Sequence, residues 1–296
     1  MALNNGCIYE SQILPGEAGR TLLAHLAATY RHSDCDTWRA RLASGEVALD
    51  DRPAAGDERL RAGQRLVWAR PPWDEPEVPL AFSVLHIDAA LLVVDKPAGL
   101  PTLPAGGFLE HTLWALIRTQ HPEASPVHRL GRFTSGLVLF ARSHDAGASL
   151  SRAWRNHRVT KDYRALGAGR PAWTMREVTA PIGPVPHRRL GTVFGASEAG
   201  KPARSVLVAR PGSGRDTVFD VRIVTGRPHQ IRIHLAHAGH PLVGDPLYGL
   251  GGVPRAEATA LPGDGGYRLH AHRVVLAHPF TGESLRLEAP PPPDLV

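Results

Sequence analysis

The chain has 296 residues, 43% of them hydrophobic and 21% charged, which is enough for two folded domains with their own cores. It holds no run of about 18 apolar residues, which excludes a membrane-spanning helix, and its two cysteines, Cys7 and Cys35, are too few for a disulfide framework. A formal charge of +6 and a pI of about 9.8 favour a polyanionic partner, RNA or DNA, over an acid-seeking surface. Residues 1–10 lack a basic region followed by an apolar core, so a cytoplasmic location is expected rather than secretion.

The charge is unevenly spread. Residues 1–75 carry nine arginines against eleven acidic side chains, while the rest carries 25 basic against 17 acidic. A nucleic-acid footprint is therefore expected on the second part. Within the first part, residues 21–30 and 36–44 read as short helices, the second capped by Asp34 or Asp36 and ended by Gly45. Residues 47–49 and 64–69 read as strands with a turn at 50–53 between them. This order loosely resembles an S4-like αβ module, the predicted N-terminal domain of residues 1–75. Residues 71–79 contain four prolines and read as a linker into a second domain, 76–296. There, residues 83–86, 91–94, 136–141, 163–166 and 218–224 read as strands, and 111–118, 146–156 and 231–237 as helices. Residues 187–201 and 249–266 are rich in Gly, Pro and polar residues and read as loops. The closing prolines, 290–292, read as a frayed tail.

Three stretches carry the chemistry: residues 91–100 (LLVVDKPAGL), 128–137 (HRLGRFTSGL) and 225–235 (TGRPHQIRIHL), the last running on to 244–249 (GDPLYG). Residues 161–165 (KDYRA) and 269–272 (LHAH) support them. In this order and spacing the chain resembles pseudouridine synthases of the RluA family over residues 80–289. The resemblance implies an α+β fold with a mixed, mainly antiparallel central sheet. It implies isomerisation of uridine to pseudouridine in rRNA or tRNA, with no cofactor and no metal. The bond from ribose C1′ to uracil N1 breaks, the uracil turns, and it rejoins through C5. The target base must first leave the stack.

The family's second motif reads His-Arg-Leu-Asp, and its aspartate acts at the sugar. Gly131 stands at that position in this chain, at the centre of the candidate catalytic set with Tyr163 and Arg232. Residue by residue, Arg129 matches the arginine that fills the space left by the flipped base, Tyr163 the tyrosine that packs on that base, and Arg232 the arginine that pairs with the aspartate. His128, Arg129, Lys96 and Arg227 are the expected RNA contacts. Lys96, beside Pro97 and Gly99, suits either a phosphate contact or a fold role.

Gly131 offers no nucleophile, acid or base. Arg232 would also lose its partner, and an unpaired buried charge costs roughly 3–5 kcal/mol. Another carboxylate, a substrate phosphate or water is expected to compensate. Of the nearby acids, Asp245 is expected to hold a turn, Asp95 to be structural, and Asp145 and Asp162 to be solvated. A second reading is an RNA-binding protein with a synthase fold and no catalysis. A carboxylate within about 4–5 Å of the Arg232 guanidinium separates the two in favour of catalysis. Sixteen histidines, four of them between residues 229 and 240, suggest a metal, but His-Glu-x-x-His and cysteine pairs are absent. Thr134-Ser135-Gly136 lacks the Gly-x-Ser-x-Gly frame of a hydrolase. The expected partner is RNA, met by a monomer.

Overall fold

The computed structural model describes residues 3–30, 32–212, 214–261 and 263–296. Contacts divide the chain into two units, Met1–Glu75 and Pro76–Val296. The smaller unit runs β1 (Cys7–Gln12), α1 (Leu22–Thr29), α2 (Cys35–Ala43), β2 (Val47–Leu49), β3 (Arg52–Pro53) and β4 (Arg65–Arg70). Thr21 caps α1, its hydroxyl accepting from the Ala24 amide, and Asp34 caps α2 by accepting from Thr37. The strands order as β1-β4-β2-β3, and Leu22, Leu26, Trp38 and Leu42 pack on Val47, Leu49, Leu66 and Trp68. Strand β1 is an addition to the expected pattern. Its residues are exposed or half-buried throughout, so it shows no alternation for the sequence to reveal.

The larger unit runs β5 (Ser83–Ile87), β6 (Leu91–Lys96), α3 (Leu113–Gln120), β7 (Ser125–Pro126), β8 (Ser135–Ala141), α4 (His144–Arg155), β9 (Thr160–Gly167), β10 (Met175–Val178), β11 (Ile182–His187), β12 (Gly191–Ala196), β13 (Ser205–Ala209), β14 (Thr217–Ile223), α5 (Gln230–His237), β15 (Leu269–Ala277) and β16 (Ser284–Glu288). The main sheet orders as β10-β13-β14-β9-β15-β8-β6-β5, with β16 beside β15 and β7 beside β8. Every pairing in it is antiparallel except β8 with β15. The mixed, mainly antiparallel sheet thus matches expectation. Strand β8 is buried along its whole length and Leu91 to Val94 are fully buried, because both faces of the sheet are covered there.

The parallel β8–β15 contact joins two cores, one around β6, β8 and α4 and one around β9, β14 and α5. It requires glycine at 136. There φ is +103°, and a Cβ would lie 2.2 Å from the Ala271 carbonyl oxygen. Two expectations fail here. The 187–201 segment is not all loop: β12 pairs with β11 in a separate two-stranded hairpin. Pro184 and Pro186 are tolerated in β11 because a two-stranded sheet leaves one edge of each strand unpaired. Nor is the tail frayed. Leu295 is buried, and its carbonyl accepts from Arg164 Nη1 at 3.0 Å.

Candidate active site

Three segments distant in sequence meet around Gly131. The first is the turn leading into β8. Thr102 pins it at Leu130, its hydroxyl donating to the carbonyl and accepting from the amide. The Gly131 carbonyl then accepts from the Thr134 amide at 3.0 Å. Gly131 itself is exposed. A Cβ built on it would point at the Tyr267 hydroxyl, 3.1 Å away, and at Thr134 Oγ1, 3.4 Å away.

The second segment is α5. Its first turn is fastened to β13 by buried side chains that accept and donate in full. Gln230 Oε1 accepts from Thr225 Oγ1 and the Arg227 amide, while Nε2 donates to the Arg204 carbonyl and Ser205 Oγ. His234 reaches Ser205 Oγ and the Ala180 carbonyl. So anchored, α5 presents Arg232 inward, 2% exposed.

The third segment holds Arg232's counter-ion. Asp245 Oδ2 accepts from Arg232 Nε at 2.7 Å and Oδ1 from Nη2 at 2.8 Å, a bidentate pair. Oδ1 also accepts from the Leu247 and Tyr248 amides. Burial pushes the Asp245 carboxyl up, but Arg232's bonds and charge and the two amides outweigh it and hold the group below its ordinary range. Burial likewise disfavours the Arg232 cation, and Asp245 more than restores it. The aromatic rings of Tyr267 and Tyr248 lie 4.4 and 4.9 Å from the guanidinium carbon. Glycines make this packing possible. Gly244 and Gly266 touch backbone to backbone, and a Cβ on Gly265 would fall inside the Phe133 ring.

His229 opens α5 in a left-handed conformation, φ 54°. Tyr248 donates its one hydroxyl proton to the Phe194 carbonyl, so the 2.7 Å contact with His229 Nδ1 is the imidazole donating. Burial first, then the charges of Arg232 and Arg129, push His229 down to about 4, which keeps the ring neutral near pH 7.

The expected site residues distribute as follows. Gly131 and Arg232 converge. Arg129 is exposed, with no ion-pair or hydrogen-bond partner among the described residues. Tyr163, Ala271 and Gly136 stand abreast on three adjacent strands; Tyr163 packs against both cores, and burial pushes its phenol up to about 12. Arg227 is half-buried, its Nε donating to the Pro202 carbonyl. His128 stacks on Trp154 at 5.0 Å and its Nε2 accepts from the Leu139 amide, so it braces β8.

Lys96 corrects the expectation of an RNA contact. It is fully buried, and its ammonium donates to the carbonyls of Pro97, Leu100 and Arg132, which clamps the 97–100 turn to the 131–133 turn. A side chain with all three donors spent on backbone has none for phosphate. Asp245 holds its turn as expected, and it is also the carboxylate that compensates Arg232. Asp162 corrects a second expectation, since it is buried between Arg222 and Arg273 rather than solvated. Tyr267 lay unread in the sequence, although the glycines at 263, 265 and 266 mark a close backbone approach just before it. Among the described residues no group of three or more His, Cys, Asp or Glu is placed to hold a metal ion, and no helix is long and apolar enough to cross a membrane.

Comparison with known proteins points to one family. A family model described as RNA pseudouridylate synthase matches residues 90–237. A Synechocystis protein named an uncharacterized RNA pseudouridine synthase is 44% identical over 277 residues, 93% of this chain and 95% of that one. Ribosomal large subunit pseudouridine synthase D of Neisseria meningitidis serogroup B is 32% identical over 288 residues, covering 93% of this chain and 75% of the other. Among solved structures, human RNA pseudouridylate synthase domain containing 1 superposes with a TM-score of 0.57 at 25% identity, over 75% of this chain and 89% of that one.

Proposed function

The chain belongs to the RNA pseudouridylate synthase family, and from that premise we propose how its residues isomerise uridine in RNA. The substrate is ribosomal or transfer RNA, and the likeness to the Neisseria ribosomal large subunit enzyme favours ribosomal RNA. The protein works as a cytoplasmic monomer, with the basic excess of residues 76–296 attracting the phosphates.

A uridine swings out of its stack into the space beside Gly131. Arg129, exposed and without a protein partner among the described residues, fills the gap that the base leaves. Tyr163 supplies an apolar face for the uracil, and its burial between two cores keeps that face fixed. Arg232 lies under the reacting sugar, its charge held in place by Asp245. Gly131 occupies the position of the family carboxylate.

The observation that carries this reading is the convergence of the separate motifs on Gly131, with a bidentate carboxylate 2.7 Å from Arg232. That pair favours catalysis over passive binding, since a binding surface has no need of a buried, neutralised guanidinium behind it. The test is tritium release from C5-labelled uridine in separated ribosomal and transfer RNA. Release by the wild type from one fraction, reduced in Tyr163→Phe, is expected. Retention of RNA without release from either fraction would instead mean a binding protein.

A further inference from the structure

We infer that the Tyr267 hydroxyl takes the chemical place of the absent carboxylate at Gly131 and acts on C1′ of the target ribose, an inference that rests on the activity proposed above. The first ground is position. The hydroxyl lies 3.1 Å from the point where any side chain at residue 131 would begin. It therefore borders the same space from the opposite wall.

The second ground is that this hydroxyl is uncommitted. A buried tyrosine ordinarily satisfies its hydroxyl. Tyr267 is 5% exposed, yet its hydroxyl has no hydrogen-bond partner among the described residues and stays within reach of solvent. The neighbouring groups are committed. Asp245 has both oxygens engaged by Arg232 and two amides, and its side chain is 0% exposed. Tyr248 spends its hydroxyl on Phe194 and His229. Thr134 Oγ1 is also near, at 3.4 Å from the same point, but an aliphatic alkoxide lacks the ring delocalisation that lets a phenol carry charge on oxygen.

The third ground is the seat. The Arg232 guanidinium lies against the ring, where it offsets negative charge developing on the phenolic oxygen. The close Gly244–Gly266 contact and the Phe133 ring over Gly265 hold the backbone that carries the tyrosine. Asp245 is then a positioning residue, acting through Arg232.

The chemistry closes without any co-reactant. Tyr267 Oη attacks C1′ as the C1′–N1 bond breaks; the bonding pair leaves with the uracil, and the phenolic proton passes to N1. After the uracil turns, C5 attacks C1′. The C1′–Oη bond breaks with its pair returning to the oxygen, and the C5 proton restores the hydroxyl. That proton then exchanges with water, so C5 tritium is released.

The experiment compares tritium release by wild type, Tyr267→Phe, Gly131→Asp and the double variant Gly131→Asp/Tyr267→Phe. Phenylalanine keeps the ring on Arg232 and in the core and deletes only the hydroxyl, and melting and RNA retention check that the fold survives. Release is expected to fall about 10⁴-fold in Tyr267→Phe. It is expected to recover in the double variant, because residue 131 is not at positive φ and the carboxylate gains the room the hydroxyl held. A merely structural tyrosine would not be rescued in this way. Release by Tyr267→Phe within about threefold of wild type would overturn the inference. So would a silent wild type beside an active Gly131→Asp, since then only the carboxylate was wanting. Silence of both wild type and Gly131→Asp would sink the inference together with the activity it rests on.

Discussion

Replacing Asp245 by asparagine isolates the interaction on which the site is built. The carboxylate accepts four hydrogen bonds: from Arg232 Nε at 2.7 Å, Arg232 Nη2 at 2.8 Å, the Leu247 amide at 2.9 Å and the Tyr248 amide at 3.0 Å. Asparagine has one acceptor oxygen and one amino group. Whichever way it turns, the amino group faces donors, either Arg232 Nε or the two backbone amides. The Arg232 and Asp245 side chains are 3% and 0% exposed, so water has no access to repair the loss. Removing one partner of such a pair costs about 3–5 kcal/mol, a large share of a total stability of about 5–15 kcal/mol. In urea, with a slope of about 2–3 kcal/mol per molar, the midpoint of the larger unit falls by about 1–2.5 M. Hydrogen exchange tells the two orientations apart, because the Leu247 and Tyr248 amides lose their acceptor and exchange faster only when the amino group faces them. Arg232→Met/Asp245→Leu, which removes both charges, is expected to be milder than Asp245→Asn alone. A stability loss under about 1 kcal/mol would refute the reasoning.

Lys96→Met takes the ammonium from the Pro97, Leu100 and Arg132 carbonyls, of which only Arg132's keeps another donor, the Gly99 amide, so stability falls by about 1–3 kcal/mol while RNA affinity is unchanged; a filter-binding loss with an unaltered melting curve would restore the phosphate role. Gly136→Ala places a methyl group 2.2 Å from the Ala271 oxygen at φ +103°. It should cost at least about 3 kcal/mol and break the β8–β15 pairing, seen as a collapse of the melting temperature. Beside His128 and His229, which burial also holds down at about 4, His270 adds to acid sensitivity. Its Nε2 donates to the Ala289 carbonyl, its Nδ1 meets the Ser135 hydroxyl, and burial holds it down at about 4. The unfolded chain therefore takes up the proton first. Its contribution is complete above about pH 6.5 and is lost as pH falls towards 4, at no more than about 1.4 kcal/mol per unit. His270→Gln should flatten the stability profile across that window, and identical slopes would count against it.

Much of the larger unit is legible in local sequence. The apolar runs at 91–94 and 136–141 announce strands, Asp34 or Asp36 announces the start of a helix, and the spacing of the motifs carries the family. These signals are local, resting on periodicity, capping chemistry and short-range order. Strands such as β1, with no buried face, and β11, which carries two prolines, show no such signal. The roles that matter most at the site come from contacts between segments far apart in the chain. Nothing near Asp245 in sequence says that its free oxygen faces Arg232. Nothing beside Lys96 distinguishes an ammonium awaiting phosphate from one spent on three carbonyls. Tyr267 acquires its meaning only because glycines at 244, 265 and 266 let two backbones and a ring close on one another, which sets its hydroxyl against a glycine that lies 136 residues earlier in the chain. Burial decides the cases of Asp245 and Lys96, because taking a charge out of water forces a choice of partner. Only the folded chain determines which partners are within reach.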